Sequence, residues 1–113
     1  MRDNLISLTD KILQDFIEKI RPPEEIRSQV DLGYTYDGKN IELYERRPIW
    51  NNPSKVENYP YAKITYVKTS QIWKLYWKRA SGKWEAYSDL PTSTHLEELL
   101  ACIDEDAFGC FYG

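Results

Sequence analysis

The chain reads as an α+β domain in which about five antiparallel strands are covered on one face by an N-terminal and a C-terminal helix, in the order α-β-β-β-β-β-α. Three observations predict it. Leu8, Ile12, Leu13, Phe16, Ile17 and Ile20 recur at helical spacing, with Asp10, Lys11, Asp15, Glu18 and Lys19 on the opposite face. Between Trp73 and Trp84 aromatics and basic residues take alternate positions on either side of a tight turn, the period of paired strands. Leu96, Leu99, Leu100 and Ile103 then restore helical spacing near the end.

The first helix has Ser7 or Thr9 as candidate caps and is stopped by Pro22-Pro23, because proline supplies no amide hydrogen. Val30, Leu32 and Tyr34 alternate with Asp31, Gly33 and Thr35 as in a half-buried strand. Asp37-Gly38 reads as the centre of a hairpin turn, returning the chain along Ile41 to Arg47 with Ile41 and Leu43 inward. Pro48 ends that strand, and residues 50–60, rich in Asn, Pro and Ser, read as the longest irregular connection, tied down by Trp50 or functional. A meander follows, about Tyr61 to Lys68, Ile72 to Arg79 and Lys83 to Tyr87, with Ala80-Ser81-Gly82 joining the last two. Pro91-Thr-Ser-Thr opens the second helix and Asp104-Glu-Asp106 ends it; the aromatic close, Phe108 to Gly113, is expected to pack onto the domain.

One domain spanning 1–113 follows from the length. No apolar run approaches the ~20 residues of a membrane helix, and the start lacks the pattern of a secretory leader, so a cytoplasmic protein is expected. Cys102 and Cys110 are the only cysteines, too few for a disulfide framework. The net charge of −3 is unevenly spread: residues 41–84 hold nine Lys/Arg against three Asp/Glu, and residues 85–113 hold seven Asp/Glu and neither Lys nor Arg. Such segregation fits either an acidic external partner or neutralisation within the fold or across a homodimer.

The blocks Glu45-Arg46-Arg47-Pro48-x-Trp50, Tyr61-Ala62-Lys63-Ile64-x-Tyr66-Val67-Lys68-Thr69, Trp73-x-Leu75-Tyr76-Trp77-x-Arg79, Lys83-Trp84 and Gly109-Cys110-Phe111-Tyr112-Gly113 occur in one order along the chain. From about residue 15 to the end they resemble the bacterial family known as domain of unknown function 3024. The resemblance implies a small stand-alone bacterial protein and no mechanism. The element order is also similar to the frataxin-type α-β sandwich, in topology only. The dense acidic ridge that frataxins use for iron has no counterpart on a first helix where Lys11 and Lys19 interrupt the carboxylates.

Candidate function rests on the sheet face turned away from the helices. If each strand points its most apolar set inward, the core strands contribute Ile41, Leu43, Ala62, Ile64, Tyr66, Trp73, Leu75, Trp77, Trp84 and Ala86. Tyr44, Arg46, Lys63, Thr65, Lys74, Tyr76, Lys78, Glu85 and Tyr87 then face solvent. Lysines neutralise phosphates and aromatic rings stack on bases, so Tyr44, Arg46, Arg47, Trp50, Lys63, Lys74, Tyr76 and Lys78 form a candidate surface for nucleic acid or an acidic protein. The plainer reading is that Lys and Tyr fill the solvent side of any sheet. Arg47, adjacent to Arg46 and so pointing the other way, needs an acidic partner such as Glu97, Glu98 or Asp104, or a bound anion. His95, Cys102, Asp104, Asp106 and Cys110 do not make a zinc set by spacing, and no nucleophile motif or phosphate loop is present. The expectation is a binding protein with no assigned catalytic residue, metal or cofactor. A phosphate-directed, metal-dependent enzyme and a self-associating structural subunit are the alternatives.

Overall fold

The computed structural model describes residues 2–106, with side chains from Ile6 onward, so the expected packing of residues 107–113 lies outside the described residues. Helix α1 (Arg2–Ile20) is followed by strands β1 (Asp31–Tyr36), β2 (Asn40–Ile49), β3 (Asn52–Val67), β4 (Ile72–Lys78), β5 (Trp84–Ala86) and β6 (Thr92–Ser93), then helix α2 (Leu96–Glu105). The strands form one antiparallel sheet ordered β1-β2-β3-β4-β5, with the short β6 also paired to β4. The α+β class and the helix–sheet–helix order hold, with six strands in place of five.

The core is a single cluster in which Leu13 and Ile17 of α1, and Leu96, Leu99, Leu100 and Ile103 of α2, meet Ile41, Leu43, Ala62, Ile64, Trp73 and Leu75 of the sheet. Both helices therefore cover the same sheet face. The apolar stripe of α1 packs as read at Ile12, Leu13, Phe16, Ile17 and Ile20, and fails only at its first position, where Leu8 is 59% exposed and Thr9 is buried. Since α1 begins at Arg2, neither Ser7 nor Thr9 caps it. A salt bridge from Arg21 to Asp31, 2.7 Å, clamps the end of α1 to the start of β1. The Asp31 carboxyl is held below its ordinary range, chiefly by the hydrogen bond from Arg21.

The β1–β2 turn is centred one residue later than expected. The Asp37 N–H donates to the Asn40 carbonyl, so Gly38 and Lys39 are the central pair, and only Gly38 has positive φ (95°), the pattern of a type II′ turn. The Asp37 side chain accepts from the amides of Lys39 and Asn40, at 2.9 and 2.6 Å. At the other end, Pro91-Thr-Ser-Thr does not open α2: Thr92 and Ser93 add to the β4 edge, and the helix starts at Leu96 with His95 as its N-cap residue.

The largest departure lies between residues 50 and 60, which form β-structure instead of an irregular loop. β2 and β3 continue pairing past the end of β1, through Arg47↔Glu57 and Pro48↔Val56, and the chain turns at Trp50-Asn51. The result is a two-stranded arm projecting from the sheet. Every residue from Trp50 to Tyr59 is exposed, Trp50 at 91%.

Candidate anion-binding face

Register decides which side chains share the uncovered face. Glu42 lies between Thr35 and Lys63, and Lys63 in turn is opposite Tyr76; one rung along, Thr65 is opposite Lys74. Tyr44, Lys63, Lys74, Tyr76 and Lys78 thus share one side, and none of them is buried. A bulge explains the neighbouring break in pattern: Leu43 is opposite Ala62 and Tyr44 opposite Pro60, leaving Tyr61 as the extra residue. Tyr61 and Ala62 consequently both point into the core.

The register of β5 differs from the sequence reading by one residue. Tyr76 pairs with Ala86, Trp77 with Glu85 and Lys78 with Trp84, so Trp84 and Ala86 share the open face with Tyr76 and Lys78. Tyr87, expected outside, is buried at 2% exposure and donates its amide to the Leu75 carbonyl at 3.0 Å. A one-residue slip reverses every side chain of a strand, and a three-residue strand has too short a pattern to reveal it. Trp77 and Trp84, both expected mostly buried, are each half-buried. Trp77 packs against the core from the helix side, whereas Trp84 lies on the open face with the Lys78 ammonium 5.9 Å from its ring centre.

Tyr44 is held by its neighbour's lack of a side chain. A Cβ on Gly33 would lie 2.5 Å from the Tyr44 hydroxyl oxygen, so the phenol ring lies across the glycine of the adjoining strand. This cross-strand packing covers an otherwise bare backbone.

At the turn end of the face, Gly38, Lys39, Thr65, Lys68, Thr69, Gln71, Lys74 and Tyr76 are among the residues lining a groove of about 880 Å³. No described carboxylate lines it. Among the described residues, no ion pair joins Lys39, Lys63, Lys68, Lys74 or Lys78 to an acidic side chain. Thr65 donates its hydroxyl to Asn40 at 2.8 Å, tying β3 to the adjacent turn. Gln71 has φ of 53°, a left-handed conformation that shapes the β3–β4 turn at the groove's rim.

The candidate residues divide into two groups. Tyr44, Lys63, Lys74, Tyr76 and Lys78 belong to the sheet face, while Arg46, Arg47 and Trp50 belong to the base and tip of the arm. Arg47 pairs with Glu45 of its own strand and not with α2. Sequence reasoning missed Lys39 and Lys68 of the groove, because Lys39 lies in the β1–β2 turn and Lys68, read as the last, inward-pointing residue of a strand, lies in the β3–β4 turn beyond the end of β3. It also omitted Glu42, whose even register with Tyr44 was the available signal, and misplaced Trp84. In α2, burial first and then the Asp89 and Glu105 carboxylates push the Cys102 thiol up, the reverse of an activated nucleophile. Among the described residues, no group of three His, Cys, Asp or Glu side chains is placed to hold a metal ion.

No helix among the described residues is long and apolar enough to cross a membrane. No curated protein and no solved structure matches the chain. The family described as domain of unknown function (DUF3024) matches residues 1–113, extending the similarity over the first helix, and the chain belongs to that family.

Proposed function

We propose that this chain is a non-enzymatic binding protein that holds an anionic chain, single-stranded nucleic acid, against the open face of its sheet. The observation that carries the reading is the run of lysines that make no ion pair among the described residues, Lys39, Lys68 and Lys74 around the groove and Lys63 and Lys78 beside it, interleaved with Tyr76 and Trp84. Lysines that form no ion pair among the described residues supply the phosphate attraction. Rings on the same face offer stacking, each stacked base contributing about 1–3 kcal/mol. Glu42 limits the patch toward β1 and favours a path along β3 and β4. A cytoplasmic site of action accompanies this reading, supported by the sparse cysteines and the free Cys102.

Fluorescence anisotropy with a labelled oligothymidylate tests it. Binding should weaken with salt, with a log–log slope near −0.7 for each phosphate neutralised on a single strand. The triple change Lys63→Glu, Lys74→Glu and Lys78→Glu should abolish binding while the circular dichroism spectrum is kept, because none of the three is buried. Binding of an acidic polypeptide in place of every oligonucleotide would move the ligand class to acidic protein. Binding of neither would overturn the reading.

A further inference from the structure

Among the described residues, the arm has an edge with no strand beside it. β4 pairs with β3 only from Ala62 to Val67, so among the described residues nothing pairs with the outer edge of β3 from Asn52 to Pro60. On the inner edge, the register jumps from Pro48↔Val56 to Ile49↔Asn52, leaving Pro53, Ser54 and Lys55 without partners on β2. A two-stranded ribbon is marginal in water by itself, and this one exposes Trp50, Val56 at 46% and Tyr59 at 43%. An open strand edge is a template for another strand.

We infer that this edge is an interface for a second copy of the chain, the two β3 arms pairing antiparallel across a two-fold axis at Val56. The sequence of the edge is complementary to itself in that register. Val56 meets Val56 of the partner subunit, and Lys55 of each copy stands opposite Glu57 of the other, giving two opposite-charge cross-strand pairs from one symmetric contact. Among the described residues Glu57 is not engaged by Arg47, which pairs with Glu45; it accepts only a long bond, 3.3 Å, from the exposed Tyr59 hydroxyl. In this register the paired segment is Ser54 to Asn58, with Pro53 of each copy opposite Tyr59 of the other and ending the ladder. An edge lysine normally discourages strand addition. Here it discourages every register except the one that sets it against a carboxylate. The contact uses neither the helices nor the basic sheet face, so both copies keep that face open.

Sedimentation equilibrium of the full chain, free of nucleic acid, should show a monomer–dimer equilibrium. Lys55→Glu alone or Glu57→Lys alone turns both pairs into repulsions and should weaken the dimer about tenfold. The double reversal should restore it, an outcome that local unfolding of the arm does not produce. Val56→Cys should yield a covalent dimer under mild oxidation that the parent protein, treated identically, does not form, since directly opposed antiparallel residues lie about 4.5–5.5 Å apart. A monomer at all loading concentrations, a dimer indifferent to the single reversals, or a double reversal no better than the singles would overturn the inference.

Discussion

The two ends of β3 are one continuous strand in two environments. From Ala62 to Thr65 the strand is paired on both sides, with β2 and β4, and points Ala62 and Ile64 into the core; from Val56 to Tyr59 it has β2 alone, Pro53 to Lys55 have no β2 partner, and every residue from Asn52 to Tyr59 is exposed. Tertiary burial holds the first half, whereas hairpin pairing alone holds the second. The proximal half selects its residues by face and leaves a period-two record in the sequence. The distal half has no buried face, so nothing selects alternation there, and Asn, Pro and Ser are tolerated in a strand.

The sharpest way to test that comparison is to truncate a side chain in each half of the hairpin. Ile64→Ala or Leu43→Ala should cost about 2–5 kcal/mol of unfolding free energy in urea, since both are fully buried. Trp50→Ala should stay within about 0.5 kcal/mol, as for other surface positions. A large loss at Trp50 would mean that the arm is part of the core. The two half-buried tryptophans make a finer contrast. Trp77→Ala should destabilise more than Trp84→Ala, both falling below the ~3–5 kcal/mol of a fully buried aromatic, because only Trp77 packs against the core.

The β1 side of the body should reveal itself through pH. Burial, and then the hydrogen bond it donates to Asp10, pushes the Tyr34 hydroxyl from 10 to about 12. The unfolded chain therefore loses this proton before the folded one does. Stability from Tyr34 is intact below pH 10 and is lost as the pH rises through 12, so Tyr34→Phe should flatten the alkaline limb of the melting-temperature profile. Asp31 carries the opposite sign. Its depressed carboxyl contributes stability above its ordinary range, near 3.8, and loses it as the pH falls further; Asp31→Asn should remove that acid dependence. The smallest effect belongs to Gly33→Ala. The new methyl displaces the Tyr44 ring, a movable side chain, and alanine suits a strand better than glycine, so the net change should remain under about 1 kcal/mol.

The sequence carried the body of the fold where patterns were long. The inward sets of β2 to β4 were legible because Ile41/Leu43, Ala62/Ile64 and Trp73/Leu75 each repeat the period, and α2 because its four buried residues keep helical spacing. Around β5 the choice lay between Trp84/Ala86 and Glu85/Tyr87, and taking the more apolar set as inward chose the wrong one. Pairing with β4, with the Tyr87 amide on the Leu75 carbonyl, selects the other. On the candidate face, the strand lysines were legible from alternation. The groove was not, because Lys39 and Lys68 come together only when the β1–β2 and β3–β4 turns are brought side by side by the pairing of β2 with β3.

The central claim is that the open sheet face, and not the arm, holds an anionic strand, and the indole N–H resonances of Trp50 and Trp84 separate the two. One lies at the tip of the arm and the other beside Lys78. Titrating oligothymidylate into nitrogen-15-labelled protein at low salt should shift the Trp84 indole and the amides of Lys74 and Tyr76 while the Trp50 indole stays in place. Movement of Trp50 with a stationary Trp84 would contradict the account.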